Sequence, residues 1–374
     1  MNSSNEDDKK IWVSYDGSLA SQWKSMFSPK VLKNGIAIAH VKKSELEPDI
    51  FLYHESFDDA LQYVKQLATV NPNHKFQDYT IDNKEQVEKF VREIRENNLL
   101  NVVNSFQQIH TRNSKSSYSF PASNKVAEIW KNVIGSARSD IIVEQLNHKE
   151  TDQRSVVLII PGTEMRDEIV ILGAHLDSTA NKEPGNPKNT HPNTRSPGAD
   201  DDASGLSLLT ECLRIIVKTG YKPKKTIHLM GFAAEEDGMF GSREIAKEFR
   251  DQSRKISGML QFDMIGYRLT DIDIYLVDDN TNKQQNLFLE NLMDRYMSDV
   301  RHGRMKCGYA CSDHSSFHAQ NFPASMAFEA PSVYDLSPLY HTSRDTEVDA
   351  KFMKNYVRLA LSYIAELAKT SHNE

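Results

Sequence analysis

Histidine and acidic side chains stand in five short motifs within this 374-residue chain. The motifs read HLD (175–177), GADDDASG (198–205), AAEEDG (233–238), QFDMIGY (261–267) and YHTSRDT (340–346). Imidazole nitrogens and carboxylate oxygens are ligands that zinc and similar divalent ions accept. Five such ligands suffice for two ions when one carboxylate bridges them, and an acid left over beside a ligand can act as a base. The residue types therefore indicate metal-assisted hydrolysis of an amide.

The first two motifs offer His175 and Asp201 as ligands, although each residue type alone is also common in purely structural positions. Asp177 lies on the same side of an extended segment as His175 and could hold the second ring nitrogen of that histidine. Three consecutive acids at 200–202 suit a helix N-terminus, where one of them would be the N-cap. They also repel one another unless a cation neutralises them, so the middle one, Asp201, is our candidate for the bridging ligand.

The remaining motifs complete the set of candidates. Adjacent side chains of an extended chain point to opposite sides, so one of Glu235 and Glu236 can bind a metal while the other faces substrate. Their spacing does not settle which does which. We place Asp263 inside the apolar strand 259–265, where an unpaired acid is costly. His341 stands in a loop and is a weaker candidate when taken alone.

Two other motifs are ambiguous. His314 and His318, four residues apart in HSSFH, could bind one metal from a helix face. The motif lacks the glutamate of HExxH, so structural hydrogen bonding is favoured. Cys307 and Cys311 are the first and last residues of CGYAC and could close a tight loop. Such a pair alone is weak evidence for a disulfide.

Strand and helix patterns alternate from residue 156 onward. This alternation predicts an α/β fold with a mixed, mostly parallel central sheet and helices on both faces. Most candidate ligands stand where an apolar run ends, which is the carboxyl edge of the strands in such a sheet. The predicted strands are 156–160, 169–173, 226–233, 259–265, 272–277 and 324–328. The predicted helices are 203–219, 241–250, 283–297 and 351–369.

The chain changes character near residue 80, which predicts a small N-terminal α/β segment (1–80) before a larger catalytic domain (81–374). A charge-rich amphipathic pattern predicts one long helix over 84–106. The stretch 181–197 is rich in Asn, Pro and Thr and predicts a loop over the site. The predicted elements of the N-terminal segment are strands at 35–41 and 50–54 and a helix at 57–68.

The composition and the net charge argue against some classes of binding partner. The net charge is −7 and the isoelectric point is about 6.0, and no cluster of Lys and Arg stands out. We therefore expect neither nucleic acid nor a membrane as a partner, and we expect a monomer. The apolar stretches are too short to span a bilayer. The start, MNSSNEDDKK, is polar, so the protein is either cytosolic or made with a leader that has been removed.

The order of the motifs resembles that of the M28 family of cocatalytic dizinc aminopeptidases, in particular the secreted bacterial leucyl aminopeptidases of the Vibrio (Aeromonas) type. The resemblance covers roughly residues 85–370 and implies the zinc-exopeptidase fold. It also implies hydrolysis of the N-terminal peptide bond of peptides, with a preference for leucine-like residues. The matching stretches are GAHLDSTA (173–180), SPGADDDASG (196–205), FAAEEDGMFGS (232–242), LQFDMIGY (260–267), CGYACSDHSSFH (307–318) and HTSRDT (341–346).

The resemblance implies two zinc ions per chain, with Co²⁺ or Mn²⁺ also accepted. Asp201 would bridge the two ions. His175 and Asp263 would complete the ligands of one ion, and Glu236 and His341 those of the other. The ions would activate a water that attacks the first peptide bond.

The same resemblance implies roles around the ions. Glu235 would act first as the general base and then as the general acid, and Asp177 would be the partner that orients His175. A short disulfide would join Cys307 and Cys311. The implied substrate-binding residues are Tyr309, Met264 and Phe328.

A disulfide favours a secreted or periplasmic protein. Residues 1–80 resemble a pro-region in position, so they are either an inhibitory prodomain, which we favour, or a retained structural domain. Between Phe328 and His341 the match fades, and the preferred side chain of the substrate stays open.

Three alternatives are kept. A glutaminyl cyclase shares the fold but uses a single zinc ion, so it would not need both His175 and Asp201 as full ligands. A carboxypeptidase of the same clan would need a basic residue for the substrate carboxylate, and none is evident in the motifs. A catalytically dead binding ectodomain would have lost ligands, whereas all five are present.

Overall fold

The computed structural model describes residues 10–16, 31–33, 36–42, 52–54, 56–70, 76–182 and 191–371. Its N-terminal elements are β1 (Lys10–Asp16), β2 (Val31–Lys33), β3 (Ile36–Lys42), β4 (Leu52–His54) and α1 (Phe57–Thr69). The four strands form an antiparallel sheet of order β2-β3-β1-β4. Ala60 and Val64 on α1 pack against Ile38 of β3. The N-terminal segment is therefore a small α/β unit with its own apolar cluster.

The sequence pattern predicts β3, β4 and α1, and the structure confirms all three within the part of the chain that it describes. Gly35 and residues 50–51, which the prediction includes, lie outside the described residues. Strands β1 and β2 were not predicted. The segment KIWVSYD of β1 is rich in β-branched and aromatic residues, which is the signal that should have identified it.

The second part of the chain contains the larger sheet. Its strands are β5 (Ile142–Leu146), β6 (Ser155–Ile160), β7 (Met165–His175), β8 (Lys225–Phe232), β9 (Lys255–Phe262), β10 (Ile274–Val277), β11 (His302–Met305) and β12 (Ala324–Phe328). Its helices are α2 (Lys84–Val91), α3 (Glu96–Gln107), α4 (Ser119–Ile134), α5 (Ala203–Thr219), α6 (Phe240–Asp251), α7 (Lys283–Tyr296), α8 (His314–Ala319) and α9 (Ala350–Ala368).

This eight-stranded sheet has the order β11-β10-β12-β9-β7-β8-β6-β5. The four neighbours β12, β9, β7 and β8 run parallel to one another, and antiparallel pairs join them to β10 on one side and to β6 on the other. Every residue of β8 and β12 is buried, as expected for strands covered on both faces. The predicted mixed, mostly parallel sheet of an α/β fold is confirmed.

Helices cover both faces of the sheet, and β7 shows this most clearly. Its residues Val170 and Leu172 join the apolar core that includes α4, α5 and α9. The alternate residues Ile169 and Ile171 join a second cluster that includes α6 and α8. Because successive side chains of a strand point to opposite faces, the two clusters lie on opposite sides of the sheet.

The long helix predicted over 84–106 is wrong. Two helices, α2 and α3, replace it, and the chain is extended at Arg95 between them. The cause is Glu211, which is buried on α5. Its carboxylate accepts hydrogen bonds from the backbone N–H of Arg95 (2.8 Å) and from Nδ2 of Asn98 (3.2 Å). A buried carboxylate needs such donors, and satisfying it interrupts the helix.

Two residues that precede the predicted boundary near residue 80 already pack on a helix of the larger unit. The ring of Phe76 lies 5.5 Å from that of Phe288 on α7, and Tyr79 contacts both rings. Within the described ranges, none of the helices combines the length and the apolar composition needed to cross a bilayer.

Candidate active site

The candidate ligands meet at the carboxyl edge of the parallel strands. His175 is the last residue of β7, Asp263 follows the end of β9 directly, and Glu235 comes three residues after β8. Because β7, β8 and β9 are parallel neighbours, these ends lie side by side. The prediction that Asp263 lies inside the strand is wrong, since β9 ends at Phe262. The acid is buried, but it lies just past the strand end and faces the site.

Five side chains form two groups that share one carboxylate. His175, Asp201 and Asp263 form one group, and Asp201, Glu236 and His341 form the other. Within each group the ligand atoms lie within 4.8 Å of one another. Nε2 of His175 lies 2.7 Å from Oδ1 of Asp201, and Nε2 of His341 lies 2.9 Å from Oδ2 of the same residue. Each oxygen of Asp201 thus faces a different group, as a bridging ligand requires.

The chemistry of these groups fits a pair of divalent cations. His175, Asp201, Asp263 and His341 are almost fully buried. Oε1 of Glu236 is also buried, and no hydrogen bond to it is formed. Buried acids at this density are unfavourable unless cations or donors compensate them. Two imidazoles with three carboxylates are a donor set that zinc accepts.

The pKa values of Glu236 and Asp201 are both shifted, because several charged groups are buried close together. Burial raises the pKa of Glu236 to about 7, although His341 works in the opposite direction. Burial also acts to raise the pKa of Asp201, but hydrogen bonds with His175 and His341 hold it below its ordinary value. The two imidazoles therefore favour the ionised form of Asp201, whereas burial favours the protonated form of Glu236.

Neighbouring residues orient the ligands. Oδ1 of Asp177 lies 3.4 Å from Nδ1 of His175, so the ring presents Nε2 to the site. Nδ1 of His341 lies 3.0 Å from Oδ1 of Asn181, and Oγ of Ser312 donates to Oδ2 of Asp263 at 2.5 Å. Asp177 was predicted from the sequence, whereas the other two were missed. Asn181 lies in the predicted loop 181–197, of which residues 183–190 lie outside the described residues.

Glu235 lines the same pocket but belongs to neither ligand group. The two carboxylate oxygens of Asp177 accept the backbone N–H groups of Glu235 (3.0 Å) and Glu236 (3.1 Å), which fixes this turn. Burial raises the pKa of Glu235 well above its ordinary value, and the charges of Asp263, Asp313 and Glu236 add to the shift while His175 opposes it. A carboxyl group in this position can exchange a proton with a molecule bound between it and the ligands.

The flanking acids of the 200–202 run face away from the two groups. Asp202 is the N-cap of α5, because its Oδ1 accepts the backbone N–H of Gly205 at 2.8 Å. Its Oδ2 accepts the backbone N–H of His175 at 3.0 Å. Oδ1 of Asp200 accepts the backbone N–H of Gly266 at 2.8 Å. The predicted N-cap is thus Asp202, and each of the two outer acids accepts a backbone N–H and belongs to neither ligand group.

Three residues at the site have left-handed backbone. Ala234, Met264 and His341 have positive φ values of 53°, 52° and 56°. These residues precede Glu235, follow Asp263 and supply a ligand, respectively. Left-handed backbone is unfavourable for residues with a side chain, and it is frequent at functional sites. The strain is the local cost of turning all three segments towards one point.

An apolar wall completes the pocket. The predicted substrate-binding residues Tyr309, Met264 and Phe328 all line it, as do both cysteines of the Cys307–Cys311 disulfide. Four further lining residues had no predicted role: Met326, Val333, Leu336 and Tyr340. The pocket therefore has a charged side made of the ligand groups and an apolar side that suits a hydrophobic side chain.

The HSSFH pair takes no part in either ligand group. His314 and His318 lie on the short helix α8 and are buried. Burial lowers the pKa of His314 to about 3, so this ring is neutral. Neither histidine belongs to a ligand group, as predicted, but the predicted structural hydrogen bonding is wrong for His314, whose two ring nitrogens are buried without a hydrogen-bond partner among the described residues.

Asp313 makes the stability of the metal-free protein depend on pH. Burial raises its pKa to about 7, while His175 and a hydrogen bond from Ser242 oppose the shift. Because the folded-state pKa exceeds the unfolded one, the folded protein holds the extra proton, and stability falls as pH rises from about 4 to about 7. We predict that Asp313→Asn flattens this fall by up to about 1.4 kcal/mol per pH unit. Urea unfolding of both metal-free proteins at about pH 5 and pH 7 measures it, and equal slopes would contradict it.

Comparison with known proteins decides the family. The model of peptidase family M28 matches residues 155–364, which is more than half of the chain. The chain belongs to peptidase family M28. The family expected from the motifs is therefore confirmed, and the residues of both ligand groups fall within the matched range.

Several relatives of this M28 peptidase are similar over most of their length. A probable aminopeptidase of Saccharomyces cerevisiae is 29% identical over 300 residues, which cover 78% of each chain. Leucine aminopeptidase 1 of Trichophyton equinum is 29% identical over 305 residues, covering 78% of this chain and 79% of that one. The crystal structure of the LapA aminopeptidase of Legionella pneumophila has a TM-score of 0.81 at 25% identity, covering 98% of this chain and 100% of that chain.

Proposed function

We propose that this M28 peptidase is a zinc-dependent aminopeptidase that removes hydrophobic, leucine-like residues from the N-termini of peptides. The observation that carries the proposal is the pair of ligand groups that share Asp201. They lie in one pocket with Glu235, which belongs to neither group, and with an apolar wall. The names of the similar proteins, aminopeptidase and leucine aminopeptidase, support the same activity.

His175, Asp201 and Asp263 would hold one zinc ion, and Asp201, Glu236 and His341 would hold the other. This donor set would also accept Co²⁺ or Mn²⁺. When bound, the ions supply an activated water and polarise the carbonyl of the substrate. A single-zinc enzyme such as a glutaminyl cyclase would leave one complete ligand group without use, so we favour the two-ion site.

Glu235 would carry the proton. Its position in the pocket, outside both ligand groups, lets it take the proton from the attacking water and give it to the leaving amine. Asp177 would support this role in two ways, because it holds the backbone of the turn at Glu235 and lies beside Nδ1 of His175.

The apolar wall supports a preference for a hydrophobic side chain. Met264, Met326 and Phe328 form its inner part, and Val333 and Leu336 come from the loop that follows β12. No lysine or arginine is among the described residues that line the pocket. A carboxypeptidase would need such a cation for the substrate carboxylate, so the lining favours recognition of the N-terminal end.

We predict that the protein hydrolyses leucyl-p-nitroanilide, that a chelator abolishes this activity, and that the N-acetylated substrate is not cleaved. Leu336→Ala is expected to lower kcat/KM for the leucyl substrate by about tenfold, because a side chain that packs on the substrate is shortened. Steady-state kinetics on the two substrates with wild type and variant measures these effects.

Tyr334→Ala is the matched control for Leu336→Ala. Tyr334 lies in the same loop, is 65% exposed and does not line the pocket, so its loss should leave kcat/KM unchanged. Cleavage of the N-acetylated substrate at a similar rate would overturn the aminopeptidase assignment. Equal effects of the two substitutions would overturn the role of Leu336 in the pocket.

We further propose a secreted or periplasmic monomer in which residues 1–80 form a pro-region-like segment. The Cys307–Cys311 disulfide supports the location, because such bonds persist in oxidising compartments. Tyr63 on α1 lies against Met239 and Ala310, next to the segments that carry Glu235 and Tyr309. This contact supports an influence of the N-terminal segment on the site.

A further inference from the structure

The segment His110–Lys115 lies between α3 and α4. It is connected by hydrogen bonds to three loops of the site: the loop after β7, the loop after β8 and the loop before α5. We call it the clasp segment. It lies outside residues 155–364, which the family model matches. Its central residue, Arg112, is fully buried although it is charged. A buried arginine is rare unless its donors are all used, so its partners indicate what it does.

The guanidinium of Arg112 joins the loop after β7 to the loop before α5. Its Nε donates to the carbonyl oxygen of Leu176 at 3.0 Å, within the HLD motif. Nη1 donates to the carbonyl oxygen of Pro197 at 2.5 Å, and Nη2 donates to that of Gly198 at 2.9 Å. Nη2 also reaches the carbonyl oxygen of Asp201 at 3.5 Å. One planar group thereby sets the distance between the first two motifs.

The backbone of Arg112 extends the connection to the third motif. Its N–H donates to Oγ of Ser178 at 3.1 Å. Its carbonyl oxygen accepts Nε2 of Gln153 at 2.9 Å, and Oε1 of Gln153 accepts the backbone N–H of Ala234 at 2.9 Å. Ala234 precedes Glu235 and has left-handed backbone. The strained turn that presents Glu235 is therefore held from the clasp segment.

The ends of the clasp segment add two more contacts. Oγ1 of Thr111 and Oγ of Ser196 lie 2.6 Å apart, beside the loop before α5. The side chains of Ser114 and Lys115 both bind the carboxylate of Asp237, which follows the glutamate pair directly. The contacts with Asp237 are partly exposed, whereas those of Arg112 are buried.

Gly198 lies so close to Arg112 and Ser178 that it leaves no room for a side chain. Its φ is +52°, and a Cβ added there would lie 2.8 Å from Nη2 of Arg112 and 2.7 Å from Cβ of Ser178. A side chain at this position would displace the guanidinium. The glycine of the GADDDASG motif is thus needed for the approach of Arg112 as well as for the turn.

We propose that the clasp segment positions the metal site, through Arg112 at its centre and through Ser114 and Lys115 at its end. It sets the affinity for zinc by holding the His175, Asp201 and Glu235–Glu236 loops in register. Arg112 does not line the pocket and therefore acts through the loops that it binds. The inference rests on the proposed zinc site. It does not depend on which peptide bond is cleaved.

The test is the Zn²⁺ affinity of the metal-free full-length protein, measured by competition with a chromophoric chelator. Arg112→Met is expected to weaken binding by about 10- to 100-fold, the range found when residues that orient metal ligands are replaced. Arg112→Lys should recover only part of the loss, because an ammonium keeps the charge but cannot span three carbonyl oxygens.

Arg138→Met is the matched control. Arg138 is also buried, and it binds Asp140 and the carbonyl oxygen of Tyr221, which do not belong to the pocket. This variant should lower the melting temperature without changing the Zn²⁺ affinity. Wild-type affinity in Arg112→Met, or an equal loss in Arg138→Met, would overturn the proposal.

The double variant Ser114→Ala/Lys115→Ala decides the case if the Arg112 variants do not fold. It removes only the partly exposed contacts with Asp237, and we expect a several-fold loss of Zn²⁺ affinity. Unchanged affinity would then overturn the proposal.

The wild type distinguishes this proposal from the proposed function. If it binds zinc but hydrolyses no aminoacyl substrate, the proposed function fails and the positioning role stands. If it binds no zinc, both fail.

Discussion

Replacing Asp201 by alanine is expected to remove both zinc ions at once and to reduce hydrolysis of leucyl-p-nitroanilide to the background rate. The reason is geometric. Oδ1 of Asp201 lies 2.7 Å from Nε2 of His175, whereas Oδ2 lies 2.9 Å from Nε2 of His341. Among the described residues, no other one belongs to both ligand groups. Atomic absorption after dialysis gives the zinc content per chain.

Variants of the unshared ligands provide the contrast. His175→Ala should disable the group with Asp263 and leave one zinc ion with Glu236 and His341. Glu236→Gln should disable the other group and leave one ion with His175. If Asp201→Ala keeps as much zinc as either of these variants, Asp201 does not bridge, and the two-ion site is wrong.

Replacing Glu235 by glutamine is expected to lower kcat by about 10²- to 10⁴-fold, which is the usual contribution of a general acid–base residue. KM and zinc content should change little, because Glu235 belongs to neither ligand group. The amide keeps the size of the side chain but cannot accept and return the proton. Glu235→Ala should behave in the same way, with the fold and the metal content retained.

Glu244→Gln is the control for charge alone. Glu244 lies on α6, contacts His148 at 3.2 Å and is not part of the pocket. Its replacement should leave kcat unchanged. Near-normal turnover in Glu235→Gln, or loss of zinc in that variant, would refute the role of Glu235 as the base.

The residues that form the two candidate ligand groups could be identified from the sequence because each of them stands in a short motif. His175 is followed two residues later by an acid that can orient it, and Asp201 and Glu236 stand in runs of acids that repel one another without a cation. The parallel order of β7, β8 and β9 then brings these motifs together, as the alternation of strands and helices predicts. The family resemblance supplied the order of Glu235 and Glu236, which spacing alone leaves open.

The parts that could not be predicted depend on contacts between distant residues. Asn181 lies 160 positions from His341, and Arg112 lies 64 positions from Leu176. No local pattern marks such pairs. The break between α2 and α3 has the same origin, because Glu211 accepts the backbone N–H of Arg95 across 116 positions. A buried carboxylate overrides the helical pattern of the intervening residues.

Anomalous diffraction at the zinc edge from crystals of the zinc-loaded wild type tests the central arrangement most directly. We expect two neighbouring peaks, with one carboxylate oxygen of Asp201 on each and Glu235 bound to neither. One peak only, or a peak bound by Glu235, would contradict the proposed site.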